Sequence, residues 1–426
     1  MRVKEINCID SKIDAKLKAP SSKSYTHRAL CIASLAEGES KIIDPLFSDD
    51  TKYTLDSLRK FGINIIDEST SASKLYRIVG SGGRLDSPKE PLYIGNSGTS
   101  LRFMMAISPL VNGAVIIDGD PEVRKRPVRG LESSLKQLGI EVSSNEGCPP
   151  VRISSKGIFG GETIIEPRES SQYLSGLLIA SPYCNPYLKI NVEGKLPSSP
   201  YVDMTIDVMN NFGVNVKRND YSEFYIAPSK YIGRDYTVEG DFSNSSYFLA
   251  AAAIGGGKVT MKNLNRNSKQ SDKFFVEILE KMGCIVKWKD SSFTLSGGDL
   301  NGIEIDMKKS PDIVPTLAVV AAFSKGQTKI INIETLRYKE TDRLKAVANE
   351  LTKIGCKVEE GKDYLIINPG NLKGAEIETY KDHRMAMSFA VSGLFIEGIK
   401  IRDPECVSKS YPEFWNDFSK FCGGIN

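Results

Sequence analysis

Several short stretches of this 426-residue chain gather residue types that hold anions. They are Ser22-Lys23-Ser24 with Arg28, Gly95-Asn96-Ser97-Gly98-Thr99 with Arg102, Arg126-Pro127, Ser170-Ser171-Gln172, Ser198-Ser199-Pro200-Tyr201, Lys339-Glu340-Thr341-Asp342-Arg343 and Asp382-His383-Arg384. Lysine and arginine make charge-assisted contacts to phosphate and carboxylate, and arginine can make them bidentate. Singly, each stretch has a plainer reading. Ser, Thr and Asp at helix starts are ordinary N-caps, and Ser243, Ser245, Ser246, Asp49, Asp50 and Asp272 read that way. His27 reads as exposed or structural, and His383 as orienting Arg384. Cations in a first helical turn are different, because the helix dipole disfavours them there. Lys23, Arg28, Arg126, Arg343, Arg384 and Lys409 all fall at or near such positions. The expectation is an uncompensated cationic cluster that two phosphates, or a phosphate and a carboxylate, would relieve.

A repeated element explains the placement. A helix-like stretch closing on glycine recurs at Gly62, Gly139, Gly213, Gly283, Gly355 and, more loosely, Gly423, at intervals of 68 to 77 residues. Repetition of this kind is read before any single motif. A second series, Gly38, Gly113, Gly257, Gly326 and Gly398, lies between these, and Asn185 takes the place in the third unit as a residue that tolerates the left-handed conformation. Each unit reads helix, strand, helix, strand, with a further strand or two. Six copies split into two halves near Val238-Glu239-Gly240-Asp241. Counting 14 or 15 residues back from the first terminator of each unit reaches Lys23, Gly98, Ser171, Ser243, Asp312 and Arg384. Counting 12 to 14 back from the second reaches Arg126, Tyr201, Arg343 and Lys409. All are expected at helix N-termini, where free N–H groups and the dipole favour anions.

Bulk properties exclude other classes. Net charge is only +3, which leaves no general basic field for nucleic acid. The eight cysteines form no CxxC pair and there are only two histidines, so no zinc spacing exists and the thiols read as reduced. The first residues lack a signal-peptide core, and no apolar run is long enough to span a bilayer. The expectation is a cytoplasmic protein without metal or membrane contact.

Taken together, these motifs, with Met385-Ala386-Met387 after Arg384, resemble the enolpyruvyl transferase family over essentially the whole chain, and within it the branch that acts on shikimate 3-phosphate. The resemblance implies an α/β (α+β) fold of two similar domains, each of three βαβαββ units, with the active site in the inter-domain cleft. Domain I would comprise residues 1–20 plus 239–426 (repeats 4–6), and domain II residues 21–238 (repeats 1–3). It implies transfer of the enolpyruvyl group of phosphoenolpyruvate to the 5-hydroxyl of shikimate 3-phosphate, releasing phosphate. The route is addition and elimination through a tetrahedral ketal, on the path to chorismate and the aromatic amino acids. No metal or organic cofactor is implied, and the partners are the two small-molecule substrates of a monomer. By the same resemblance Asp312 takes the hydroxyl proton, while Glu340 and Lys23 handle the methylene and leaving-group protons. Lys23, Ser24, Arg28, Ser170, Ser171, Gln172, Ser198, Tyr201, Asp312 and Lys339 would bind shikimate 3-phosphate. Lys23, Gly98, Arg126, Gln172, Arg343, Arg384 and Lys409 would bind phosphoenolpyruvate.

Two positions depart from the common pattern. Ser21 stands where Gly often precedes Ser-Lys-Ser, and Thr335 where Asn commonly contacts substrate. Unsubstituted Gly98 implies sensitivity to glyphosate. The sister branch acting on UDP-N-acetylglucosamine typically carries a Cys on the loop that here spans residues 111–131, and none occurs there. A non-catalytic repeat protein that binds a polyanion such as RNA would need a broader basic face and stacking aromatics. Two crossings, near Ala19-Pro20 and Val238-Glu239-Gly240, are expected to form a hinge. Cations lining both walls would hold the empty cleft open, and anionic substrates would draw the halves together.

Overall fold

In the computed structural model, which describes residues 2–71 and 73–423, the six closing glycines all take positive φ, from 78° at Gly139 to 119° at Gly283. The repeat signature is therefore a backbone requirement at each helix end. The intermediate series behaves the same way at Gly38, Gly113, Gly326 and Gly398. Two members differ. Gly256, not Gly257, takes the left-handed turn, while Gly257 lies against Ile13, whose carbonyl oxygen a Cβ would meet at 2.6 Å. Asn185 is not left-handed; the chain turns there through a cis Asn185–Pro186 peptide.

The chain divides into two compact units: unit 1 is Met1–Pro20 with Glu239–Asn426, and unit 2 is Ser21–Val238. Unit 2 carries α1 (Lys23–Leu35), α2 (Asp49–Lys60), α3 (Gly98–Ile107), α4 (Arg129–Gln137), α5 (Gln172–Ala180) and α6 (Pro200–Asn211). Unit 1 carries α7 (Phe242–Ile254), α8 (Phe274–Met282), α9 (Val314–Ala322), α10 (Arg343–Lys353), α11 (His383–Gly393) and α12 (Phe414–Phe421). The first helix of each repeat is buried nearly all round, as its Ala-rich and aliphatic sequence requires. In unit 1, α7, α9 and α11 pack on one another; in unit 2, α1, α3 and α5 do. Each unit closes over its own hydrophobic core. With full burial of a Leu or Phe side chain worth about 1.5–3 kcal/mol, these helices anchor the residues at their N-terminal ends.

Each unit has three small sheets. Five of the six have four strands with one pattern: a leading strand parallel to the next, then an antiparallel pair. In unit 2, for example, Gly161–Ile165 runs parallel to Leu188–Val192, which pairs antiparallel with Glu223–Ile226, and that strand with Lys217–Asn219. Two repeats exchange their leading strands. Asp14–Lys18, which precedes α1, pairs with Lys258–Lys262 of unit 1, and Asp235–Thr237, which precedes α7, pairs with Glu39–Ile43 of unit 2. The sixth sheet has three strands and takes Val3–Glu5 beside Lys400–Arg402. Repeats one, four and six are thus not contiguous in the chain. No helix of the described residues is long and apolar enough to cross a membrane. The cysteines are free thiols, and no cluster with metal-ligand character occurs among the described residues.

Candidate active site

Unit 2 brings together one group of the expected residues. Ser22 caps α1 by accepting from the Tyr25 N–H, which starts the helix at Lys23 and leaves that side chain at its first turn. Lys23 Nζ donates to Asp50 Oδ2 at 2.8 Å, near the start of α2, whose N-cap is Ser48. Lys23 is therefore compensated, and Asp50 is no cap. From the sequence Asp50 reads as a cap, because an acidic residue at a helix start has that signature. On the next helix Ser97 caps α3 and Gly98 is its first residue. A Cβ on Gly98 would collide with Arg126 Nη1 and lie 3.2 Å from Arg102 Nη1. At Gly98 the constraint is the close approach of the Arg126 and Arg102 guanidinium tips, not φ. Gln172, opening α5, donates to Thr99 Oγ1 at 2.8 Å and accepts from Arg102 Nη1 at 2.7 Å. The residues before it, Ser170 and Ser171, lie at the same helix start, where Ser171 is the N-cap but makes no side-chain cap bond. Arg28 is buried and committed to the protein: it donates to Thr205 Oγ1 at 2.8 Å, to the Ser24 carbonyl at 2.9 Å and to the Tyr201 carbonyl at 2.9 Å. Burial lowers its guanidinium to about 10, which leaves it charged at neutral pH. Ser198, left-handed at φ 48°, sits one turn before Tyr201 at the start of α6. His27 is buried, its Nδ1 2.7 Å from Thr54 Oγ1.

Unit 1 brings together a second group. Asp312, in a short 3-10 turn leading into α9, pairs with Lys339 Nζ at 3.0 Å, Arg343 Nη1 at 3.2 Å and Arg384 Nη2 at 3.0 Å. Arg343, the first residue of α10 and 1% exposed at its side chain, also donates to Glu340 Oε2 at 2.5 Å and to Asp382 Oδ2 at 2.7 Å. Asp382 caps α11 by accepting from the Arg384 N–H at 2.9 Å. His383, the first residue of α11, is buried with its Nδ1 3.7 Å from Asp382 Oδ1. Lys409 Nζ lies 3.9 Å from Glu340 Oε1. Six expected residues, Asp312, Lys339, Glu340, Arg343, Arg384 and Lys409, thus form one network, and Asp382 completes it. Burial alone would raise the Asp312 carboxyl, but Arg384, Lys339 and Arg343 outweigh it and hold Asp312 well below the ordinary value. Burial would likewise lower Arg343, but Asp382, Glu340 and Asp312 raise it.

Three expectations need correction. Arg126 and Lys409 are not at helix N-termini: each closes a 3-10 turn, Val123–Lys125 and Pro404–Lys409 respectively. A cation there meets the negative end of the local dipoles, so no strain arises. Nor are Lys23, Arg343, Arg384 and Lys409 uncompensated, because carboxylates of the same unit pair with them. Asp241, not Ser243, Ser245 or Ser246, caps α7. Thr335 Oγ1 is buried without a hydrogen-bond partner among the described residues.

Residues 8–418 match the family EPSP synthase (3-phosphoshikimate 1-carboxyvinyltransferase). The chain belongs to this family. A 3-phosphoshikimate 1-carboxyvinyltransferase of Erwinia tasmaniensis is 42% identical over 416 residues, 96% of each chain. One of Methanothermobacter thermautotrophicus is 43% identical over 407 residues, 94% of each. The solved EPSP synthase from Acinetobacter baumannii covers 100% of this chain and 98% of its own at TM-score 0.81 and 26% identity. The enolpyruvyl transferase NikO from Streptomyces tendae, at TM-score 0.77 and 15% identity, shares the fold. In unit 1 the arrangement is a set of cations paired with internal carboxylates around an ionised Asp312.

Proposed function

We propose that the chain transfers the enolpyruvyl group of phosphoenolpyruvate to the 5-hydroxyl of shikimate 3-phosphate, with both groups of residues serving one reaction and the two units acting as its domains. The observation that carries the reading is the network around Asp312, in which one carboxylate meets three cations in a member of the EPSP synthase family. In the first step a proton adds to the methylene carbon of phosphoenolpyruvate and the hydroxyl oxygen bonds to its C2, giving the tetrahedral ketal. In the second, a proton leaves the new methyl group, the C2–O bond to phosphate breaks, and the double bond re-forms. Asp312 takes the hydroxyl proton, and Glu340 and Lys23 handle the methylene and leaving-group protons.

The pairing of Asp312 with Lys339, Arg343 and Arg384 bears on how a carboxylate of low basicity acts as a base. Substrate phosphate and carboxylate draw Arg343, Arg384 and Lys409, together with Lys23, Gly98, Arg126 and Gln172, onto phosphoenolpyruvate. Lys339, Ser24, Arg28, Ser170, Ser171, Ser198 and Tyr201 hold shikimate 3-phosphate. With its cations shared, Asp312 regains proton affinity as the substrates bind. The reading takes the protein as a cytoplasmic monomer without a cofactor, and sedimentation analysis checks the monomer. The mechanism is tested by running the reaction in deuterium oxide. Deuterium in the methylene group of the product is expected, because the intermediate methyl group mixes solvent and original hydrogens. A product without deuterium would rule out addition and elimination.

A further inference from the structure

Glu350 is a fully buried carboxylate on α10, on the same helix as Arg343, and the mechanism gives it no role. The two residues are two helical turns apart, about 10 Å along the axis, so their side chains leave the same face. Both reach the segment that leads into α11. Arg343 Nε donates to Asp382 Oδ2 at 2.7 Å, and its Nη2 donates to Oδ1 at 3.2 Å. Glu350 Oε2 accepts from the Glu378 N–H at 3.1 Å, and its Oε1 accepts from the Tyr380 hydroxyl at 2.8 Å. Lys353 Nζ donates to both carboxylate oxygens at 2.8 Å, so each oxygen accepts twice. Between the two grips the backbone is strained. Tyr380 and Lys381 take φ of 54° and 55°, a region that residues with a bulky side chain hold only where their surroundings fix it. The Asp382 N–H closes the turn on the Thr379 carbonyl at 2.8 Å. Asp382 then accepts from the Arg384 N–H at 2.9 Å, and Arg384 Nη2 reaches Asp312 Oδ2 at 3.0 Å.

We propose that Glu350 is a further positioning residue for Arg384: with Arg343 it clamps the turn at residues 378–382 from its two ends and so sets where α11 begins. The inference deepens the reading above and rests on Arg384 holding phosphoenolpyruvate. α10 acts as one bar with a grip at each end of the turn, Glu350 on its entry and Arg343 on its exit. Without the Glu350 grip the two left-handed residues relax, the start of α11 shifts, and the Arg384 guanidinium moves with it. Lys353 supplies the countercharge that lets a carboxylate be buried. A carboxylate kept only for an ion pair within α10 would need Lys353 alone. The bonds to the Glu378 N–H and the Tyr380 hydroxyl, 28 and 30 residues further along the chain, give Glu350 its hold on the turn.

The test compares the full-length wild type with Glu350→Gln, Tyr380→Phe and the double variant. It measures phosphate release as each substrate is varied, and amide hydrogen exchange of residues 376–384. The two donors sit on different oxygens, so the amide of Glu350→Gln cannot serve both, whereas Tyr380→Phe removes one bond and keeps the carboxylate. Displacing Arg384 should raise KM for phosphoenolpyruvate about tenfold in Glu350→Gln, with smaller changes in kcat and in KM for shikimate 3-phosphate. Tyr380→Phe should raise it about threefold, as loss of one hydrogen bond implies. The double variant should exceed Glu350→Gln by less than that factor, because both changes break the same bond. Exchange at residues 376–384 should quicken in every variant while exchange in α9 stays as in the wild type. Faster exchange with a wild-type KM for phosphoenolpyruvate overturns the proposal, and so does a fall in kcat with both KM values unchanged, since a merely structural carboxylate gives either result. Unmoved exchange overturns it as well. Should Glu350→Gln fail to fold, Tyr380→Phe decides by the same readouts. A wild type silent with this substrate pair overturns the underlying reading and the inference with it, whereas an active wild type with unmoved variants overturns the inference alone.

Discussion

At the scale of single residues, both units hold cations of the expected set on carboxylates of their own. Lys23 rests on Asp50, and Arg384 and Arg343 rest on Asp312. Removing a preorganised donor to developing charge typically costs about 10²–10³ in rate. Lys23→Met and Arg126→Ala are predicted to lose that much kcat/KM with circular dichroism unchanged; near-normal turnover in either would remove that residue from the reaction. Gly98→Ala pushes Arg126 aside, so the KM for phosphoenolpyruvate should rise more than kcat falls. Inhibition by glyphosate should weaken alongside. Steady-state kinetics separate these outcomes. Arg343→Ala is a different case, since it leaves Asp382, Glu340 and Asp312 buried or half-buried without their shared partner. Breaking such a pair costs about 3–5 kcal/mol, and urea unfolding should show a loss of that order together with inactivity.

At the scale of elements, the buried first helices of the repeats set the site's geometry through close packing. Gly176 on α5 faces α3, where a Cβ would lie 2.9 Å from Ala106 Cβ and 3.0 Å from the Arg102 carbonyl oxygen. Gly176→Ala is therefore predicted to cost about 1–3 kcal/mol of stability and, by displacing Arg102 and Gln172, to raise KM for both substrates. Thermal unfolding with kinetics checks it, and an unchanged KM would mean that α3 and α5 do not position Gln172. The same elements show what the chain reveals unfolded. Helix starts were legible at Lys23, Gly98 and Arg343 because the glycine terminators are local backbone signals. Arg126 and Lys409 were misplaced because a 3-10 turn precedes the helix proper in both cases. Asp50 and Asp382 were not singled out as partners, since an acidic side chain at a helix start has the same local signature whether it caps, pairs or does both. Asp382 does both.

At the scale of the whole molecule, two units with separate cores are joined by two crossings of the chain, between residues 20 and 21 and between 238 and 239. The exchange of leading strands was not legible, because pairing Asp14–Lys18 with Lys258–Lys262 is a long-range choice that a strand of five residues does not announce. The exchange leaves residues 21–238 with all their own sheet strands, Asp235–Thr237 included. This fragment is predicted to unfold cooperatively when expressed alone and to release no phosphate from the substrates; a fragment ending before residue 235 should be less stable. Non-cooperative melting of the longer fragment would mean that unit 2 depends on unit 1 for its fold. The central claim concerns the reaction itself. Inorganic phosphate release from phosphoenolpyruvate should be measured with shikimate 3-phosphate and, in parallel, with UDP-N-acetylglucosamine. Release with shikimate 3-phosphate alone is predicted, and release with the sugar nucleotide alone would contradict the account.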